Sequence, residues 1–243
     1  MVNDLGGGPD GAGASKSPAD EVVAEIKKMG GEAVANSDSV ATAQGSENIV
    51  KAAIDAFGRL DILVNNAGIL RDKMVFNMTE EEWDIVMKVH LYGHFFTTRN
   101  ACVLFRQQRS GRIINTSSTA GLGETFGQAN YGAAKEGIIG LTRQVAKDMG
   151  RYGVTCNAIR PGAGTRLTLS DELKQAWERA GMSDDLKRIE QMRPEDVAPL
   201  VVWLASDDAA NVNGRTFYVC TGKIALYSEP VQEKALVKVG GWT

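Results

Sequence analysis

The sequence is poor in the features that would mark a secreted, membrane-spanning or nucleic-acid-binding chain. Cysteine occurs three times in 243 residues, at Cys102, Cys156 and Cys220, an odd number at wide spacing that supplies no disulfide framework. Free buried thiols in a reducing compartment are therefore expected, with a cytoplasmic location. Histidine occurs only twice. His90 and His94 stand four apart on a predicted helix, a metal-ligand spacing, but no Glu or Cys cluster completes a zinc site, so no metal is expected. Nor is there a basic excess. The 27 Lys and Arg against 30 Asp and Glu leave a formal net charge of −3, which argues against a nucleic acid or a membrane as partner. No apolar run approaches the roughly 18–20 residues that span a bilayer, and the first residues lack the basic-then-apolar order of a secretory signal.

What is present is ordinary globular material. A hydrophobic fraction of 43% with 23% charged residues supports one sizeable core, in a length that suits one large α/β domain. Short apolar runs at 33–35, 61–65, 112–116, 154–159 and 216–219 alternate with helical periodicity at about 18–29, 46–57, 80–106, 129–149 and 195–205. The first helix has Ser17 as its N-cap, Pro18 at the first helical position, and Gly30-Gly31 after its end. The strands are too far apart for hairpins, so right-handed crossovers and a doubly wound parallel sheet of Rossmann-like type are predicted, with 1–243 as a single domain.

Four segments stand apart from this pattern. Residues 6–17 read as a flexible loop. Their GAGASKS stretch is similar to a phosphate-binding loop, but Ser15 stands where a glycine must precede the lysine. Residues 164–193 are polar, with Trp177 and Met182 as isolated large apolar groups, and fit either a lid over a substrate or a surface excursion. Arg106, Arg109 and Arg112 form a basic cluster at a helix end, expected to be solvated. Residues 222–243, with Ile224, Tyr227 and Trp242, have the apolar content to cover a pocket or a neighbouring subunit.

Chemistry concentrates at Tyr131 and Lys135, whose spacing of four puts both on one face of the helix at 129–149. A phenol titrates near 10, and an ammonium beside it would favour the phenolate and tune the pair as an acid/base. Ser118, thirteen residues upstream at the end of the strand at 112–116, could hydrogen-bond a substrate oxygen at the same place. Alone, Y-x-x-x-K is a common pattern. Here it lies between Asn65-Asn66-Ala67-Gly68, after one buried strand, and Asn157-Ala-Ile-Arg-Pro-Gly162, at the end of another.

In that combination the chain resembles the short-chain dehydrogenase/reductase family from residue 1 to about 222. The segments VHL at 89–91, FGQANYGAAK at 126–135, CNAIRPGAGTRLT at 156–168 and the opening VNDLGGG are similar to the (3R)-hydroxyacyl-CoA dehydrogenase part of peroxisomal multifunctional enzymes and their bacterial relatives. The resemblance implies hydride transfer between NAD and a secondary alcohol or ketone, with a 3-hydroxyacyl or 3-oxoacyl thioester as the small-molecule substrate. It implies Tyr131 as general acid/base, Lys135 lowering its pKa and binding the nicotinamide ribose, and Ser118 holding the substrate oxygen. Asn66, Ala67 and Gly68 would line the cofactor, and Pro161 and Gly162 would flank the nicotinamide. Asp38 would lie beside the adenine, and Asp4 would accept from the ribose hydroxyls, a carboxylate that disfavours the 2′-phosphate of NADP. His90 stands where the family usually has a proton-relay asparagine; it either continues the relay or is a histidine satisfied within its helix. The helices at 80–106 and 129–149 are those the family uses to associate, so a homodimer or homotetramer is implied.

The family opens with a buried strand and a T-G-x-x-x-G-x-G turn, which the resemblance finds nowhere in this chain. That strand lies mid-sheet, so two edges, one near Asp4 and one at Asn65, are expected to face each other unpaired. Three explanations follow from the sequence: a misassigned start, a real truncated product, or a catalytically silent relative kept as an oligomerising scaffold.

Overall fold

The alternation of short apolar strands and longer amphipathic helices folds as a parallel α/β arrangement. The computed structural model describes residues 1–13, 17–165, 167–169, 174 and 183–241. Strand β1 (Val2–Asn3), helix α1 (Ser17–Lys28) and strand β2 (Ala35–Asn36) make one crossover unit, in which β1 and β2 pair in parallel. A second sheet holds β3 (Ile62–Asn65), β4 (Gly111–Thr116), β5 (Val154–Pro161), β6 (Thr216–Cys220) and β7 (Lys223–Leu226), in that order. Between these strands come α2 (Ala43–Phe57), α3 (Glu80–Met87), α4 (Gly93–Gln108), α5 (Ala129–Met149), α6 (Ser183–Glu190) and α7 (Ala198–Ala205).

Strand β4 is buried on both faces, as its apolar sequence requires. Ile113 points into a cluster with Ala101 and Phe105 of α4, Ala146 and Met149 of α5, and Val154 and Cys156 of β5. Its neighbour Ile114 points the opposite way, against Leu200 and Leu204 of α7 and Phe217 and Val219 of β6. Helices thus cover both faces of the sheet. Gly111 is required where β4 starts, because a Cβ there would come within 2.3 Å of the Phe105 ring.

Three boundaries differ from the sequence expectation. The helix predicted over 80–106 is interrupted by a π-helical turn at Lys88–Tyr92, so that α3 and α4 are offset around His90; such turns concentrate at functional sites. Thr42, whose hydroxyl accepts from the Gly45 amide, starts α2 three residues earlier than its apolar periodicity does. The rule of crossovers only fails at β6 and β7, which form an antiparallel hairpin turning at Gly222, whose φ is 73°. The first residues of the terminal segment are therefore part of the sheet. The loop after β1 is also less free than its composition implies. A tight turn links the Gly8 amide to the Ala12 carbonyl, and the Pro9 carbonyl accepts from the Leu70 amide. Residues 14–16, which hold the lysine of the GAGASKS stretch, lie outside the described residues, as do Trp177, Met182 and Trp242.

The two sheets do not pair with each other. The free edge of β3 leaves Ile62 and Val64 each 44% exposed. Asn3 next to β2 and Ile62 to Val64 on β3 line one cavity of about 1000 Å³ that continues to the carboxyl ends of the strands. The pair of facing unpaired edges expected from the resemblance is present. Among the described residues, no helix is long and apolar enough to cross a membrane.

Candidate active site

The parallel strands β3, β4 and β5 end side by side, and a buried polar network sets the spacing of their ends. The Asn65 amide donates to the Asn115 side chain at 2.9 Å and to Thr98 at 3.1 Å, while the Thr97 hydroxyl donates to Asn65 Oδ1 at 2.7 Å. Asn115 in turn donates to the Thr142 hydroxyl of α5 at 3.0 Å. Every member is buried, so the network is costly to break. Replacing Asn115 by alanine strands the partners on both sides and is expected to destabilise the fold by about 2–4 kcal/mol, read as a lowered urea midpoint with an unchanged slope.

Just beyond these ends the site residues gather. The Lys135 side chain, 2% exposed, reaches back from α5 to donate from Nζ to the Thr116 carbonyl at 2.7 Å. The Ser117 hydroxyl donates to the Lys135 carbonyl at 2.7 Å, so helix and strand end hold each other. Lys135 Nζ lies 5.4 Å from the Tyr131 ring centroid. Ser118, which caps a short 3-10 turn by accepting from the Ala120 amide, is also a hydrogen-bond neighbour of the Tyr131 phenol. The Tyr131 main chain is fixed by Asn130, which accepts from the Tyr131 amide and donates to the Arg71 and Glu82 carbonyls.

His90, carried inward by the π-helical turn, packs its ring edge-on to Tyr131 with centroids 5.0 Å apart. Its Nε2 sits 3.1 Å from the Ile69 amide nitrogen and 2.8 Å from the Ile69 carbonyl. His90 thus ties the loop after β3 to the tyrosine, and Nδ1 is buried without a hydrogen-bond partner among the described residues. Gly68 admits this ring: a Cβ there would meet His90 Cε1 at 2.6 Å. Burial and the charge of Lys135 hold both His90 and His94 below the ordinary histidine range, with His94 at about 3.

Burial also reverses the titration expected of the central pair. Tyr131 is pushed up to about 12 by burial; the Ser118 hydrogen bond opposes the shift and the Asp72 carboxylate adds to it. Lys135 is pushed down to about 7 by burial alone. The reading in which a full ammonium lowers the phenol is corrected for the ligand-free protein. Burial of the phenol outweighs what the amine contributes, and one Nζ donor is committed to the Thr116 carbonyl.

Asp4, Asp38, Asn66, Ala67, Gly68, His90, Ser118, Tyr131, Lys135 and Pro161 all line the one cavity. Asp38 accepts from Asn48 and Asn36, hydrogen bonds that lower its pKa. Asp4 accepts from the Gly6 amide at 2.7 Å. Gly162 is not part of the lining; its amide donates to the Val219 carbonyl of β6, and a Cβ there would meet the Tyr218 hydroxyl at 2.9 Å. Of the polar excursion, the two ends are visible, closed by the Gly164 amide on the Met192 carbonyl. Four residues escaped the sequence reading: Asn130, Asn115, Asp72 and Arg160. Only Arg160 had a local signal, as the one charge inside a strand expected to be buried.

The residues at the cavity's two ends fit a dinucleotide. The carboxylates of Asp4 and Asp38 stand just past the ends of β1 and β2 where hydroxyls could donate to them, and a lysine and a tyrosine stand at the sheet's carboxyl edge. Comparison with known proteins shows the family. Residues 12–223 match a family described as enoyl-(acyl carrier protein) reductase. A Mycobacterium tuberculosis protein described as a short-chain type dehydrogenase/reductase is 46% identical over 224 residues, covering 92% of this chain and 74% of its own length. The mouse peroxisomal multifunctional enzyme type 2 is also 46% identical over 224 residues, but this chain spans only 28% of it. A crystal structure of a short chain dehydrogenase from Mycobacterium avium superposes with a TM-score of 0.83 at 44% identity, covering 100% of this chain and 80% of that one.

Proposed function

Since the chain belongs to the short-chain dehydrogenase/reductase family, we propose that it interconverts 3-oxoacyl and 3-hydroxyacyl thioesters with NAD as the hydride carrier, Tyr131 moving the proton. The observation that carries this reading is the convergence of Ser118, Tyr131 and Lys135 on one cavity that also holds Asp4 and Asp38. Relatives named as a hydroxyacyl-CoA dehydrogenase of Mycobacterium tuberculosis and a 3-oxoacyl-[acyl-carrier-protein] reductase of Synechocystis, each 40% identical, support the substrate class.

The bound nicotinamide would supply or accept the hydride; the protein's share is the proton and the geometry. In reduction the carbonyl oxygen accepts hydrogen bonds from the Ser118 and Tyr131 hydroxyls. As the carbonyl carbon gains a hydride, the Tyr131 O–H bond breaks and its proton passes to the alkoxide oxygen. The phenol, raised by burial, carries the proton that reduction needs. Lys135 would hold the nicotinamide ribose and restore the proton, and His90 keeps the tyrosine ring in place. Asn66, Ala67, Gly68 and Pro161 would border the dinucleotide, with Gly162 holding the end of β5 to β6 through its amide on the Val219 carbonyl. The free Cys102 and Cys156 thiols, both raised by burial, suit a reducing cytoplasmic setting. A homodimer or homotetramer built on α3, α4 and α5, the helices of 80–106 and 129–149, completes the reading.

The test is reduction of acetoacetyl-CoA followed by loss of NADH or NADPH absorbance. The reading expects turnover with a preference for NADH, and loss of that preference in the Asp4→Asn chain. Removing one charge-assisted hydrogen bond raises the KM for NADH by about 10- to 100-fold. Equal use of both cofactors by the unaltered chain would end the NAD assignment, and absence of both turnover and NADH binding would favour the scaffold.

A further inference from the structure

Arg160 lies in the penultimate position of β5 and is 4% exposed at its side chain, yet no step above uses it. Its Nη1 donates to the Ser118 carbonyl at 2.5 Å, and its Nη2 to Glu136 Oε2 at 2.7 Å. Glu136 is the residue after Lys135. One guanidinium therefore links the main chain of the serine to the helix turn that carries the lysine. The ring of Tyr227, just past β7, covers it at 5.1 Å from ring centroid to the guanidinium carbon. Glu229, two residues on, is paired with Arg143 of α5 at 2.5 Å. The start of the terminal segment is thereby latched over the arginine.

We propose that Arg160 is the positioning residue for Ser118, a buried bracket between β5, the serine turn and α5 that Tyr227 closes. The proposal rests on the reading of Ser118 as the group that holds the substrate oxygen. A planar fork is the side chain suited to this task, since two donors at fixed spacing can engage a carbonyl and a carboxylate at once, which a single ammonium cannot. The Ser118 carbonyl also accepts from the Gly121 amide at 3.4 Å, and the Ser118 hydroxyl from the Ala120 amide. Without the arginine, Ser117 still holds the start of the turn through the Lys135 and Ile159 carbonyls, but Ser118 itself keeps only these local bonds, and the hydroxyl that faces Tyr131 loses its fixed direction. The core does not depend on the bracket. Glu136 is 43% exposed and rehydrates when its partner is removed, so the Arg160→Met chain leaves no buried unpaired charge.

The experiment compares the unaltered 243-residue chain with Arg160→Met, Arg160→Lys, Glu136→Gln and Tyr131→Phe. Amide hydrogen exchange and acetoacetyl-CoA reduction by NADH are the two readouts. In Arg160→Met, exchange at Ala120 and Gly121 is expected to speed up by about 10-fold or more, while Ile113 and Ile114 in β4 keep their protection. The same chain should lose roughly 10- to 100-fold in kcat with little change in the KM for NADH. Arg160→Lys restores part of both, and Glu136→Gln, which leaves an acceptor but removes the charge from one arm of the fork, shows smaller changes in the same direction and carries the test if Arg160→Met does not fold. Unchanged exchange at Ala120 and Gly121 in Arg160→Met and Glu136→Gln overturns the proposal, as does an equal rise throughout β4. Tyr131→Phe separates the two claims: activity retained there removes the acid/base reading, while the exchange result still decides what Arg160 does.

Discussion

At pH 7 the Lys135→Met chain is expected to melt higher than the unaltered chain and to lose turnover. Lys135 is fully enclosed, and burial lowers its pKa from 10.5 to about 7. Below pH 7 the amine is protonated in both folded and unfolded chains, and the folded state bears the whole cost of enclosing it. Between about 7 and 10.5 the unfolded chain binds more protons at this site, so the Lys135 penalty shrinks as pH rises across that window. Above 10.5 the amine is neutral in both states and the penalty is gone. Methionine fills similar space without a charge, at the loss of the bond to the Thr116 carbonyl. The net gain at pH 6.5–7 is about 2–5 kcal/mol, or roughly 5–15 °C in melting temperature for a chain of this size. Melting curves at pH 6.5 and pH 10 check it: the advantage should be large at the first and nearly gone at the second. His90 and His94, also lowered by burial, destabilise only as pH falls below about 6.5, outside this window. An equal advantage at both pH values would mean that Lys135 is not buried as an ammonium.

Tyr131→Phe is expected to lower kcat/KM by about 10³-fold or more while leaving the fold and NADH affinity nearly intact. Removing a general acid removes about 10²–10⁴ in rate, and here the same atom also polarises the carbonyl, so the loss falls at the upper end. The fold has little reason to respond. The ring keeps its edge-on contact with His90, the Tyr131 amide still donates to Asn130, and the lost hydroxyl has Ser118 as its hydrogen-bond neighbour. Phenylalanine also spares the site a phenol whose ionised form is disfavoured by burial and by Asp72. Melting within about 2 °C of the unaltered chain and unchanged NADH fluorescence on binding would separate lost chemistry from lost structure.

Much of this was legible before any coordinates. The strands at 112–116, 154–159 and 216–219 fall within β4, β5 and β6 because both of their faces are largely buried and short apolar runs dominate them. The unpaired edges near Asp4 and Asn65 followed from the resemblance alone. What escaped was non-local. The π-helical turn at Lys88–Tyr92 leaves no mark in hydrophobic periodicity, since His90 is buried by its contact with Ile69 and Tyr131. The β6–β7 hairpin was hidden because β7 is mostly exposed and reads as neither face of a core. The titration of the central pair was inverted because spacing brings Lys135 near Tyr131 but says nothing of how deeply both are enclosed. Arg160 shows the same limit: its charge in an apolar strand demanded partners, but only the fold brings Ser118, Glu136 and Tyr227 to it.

The account depends on Tyr131 handing its proton to the substrate oxygen as hydride arrives. Its most direct test is single-turnover reduction of acetoacetyl-CoA by enzyme-bound NADH, recorded side by side for the unaltered and Tyr131→Phe chains at pH 7. The account predicts a transient in the first and, in the second, a rate lower by about 10³-fold or more. A Tyr131→Phe chain that oxidises its bound NADH within a few-fold of the unaltered rate would contradict it.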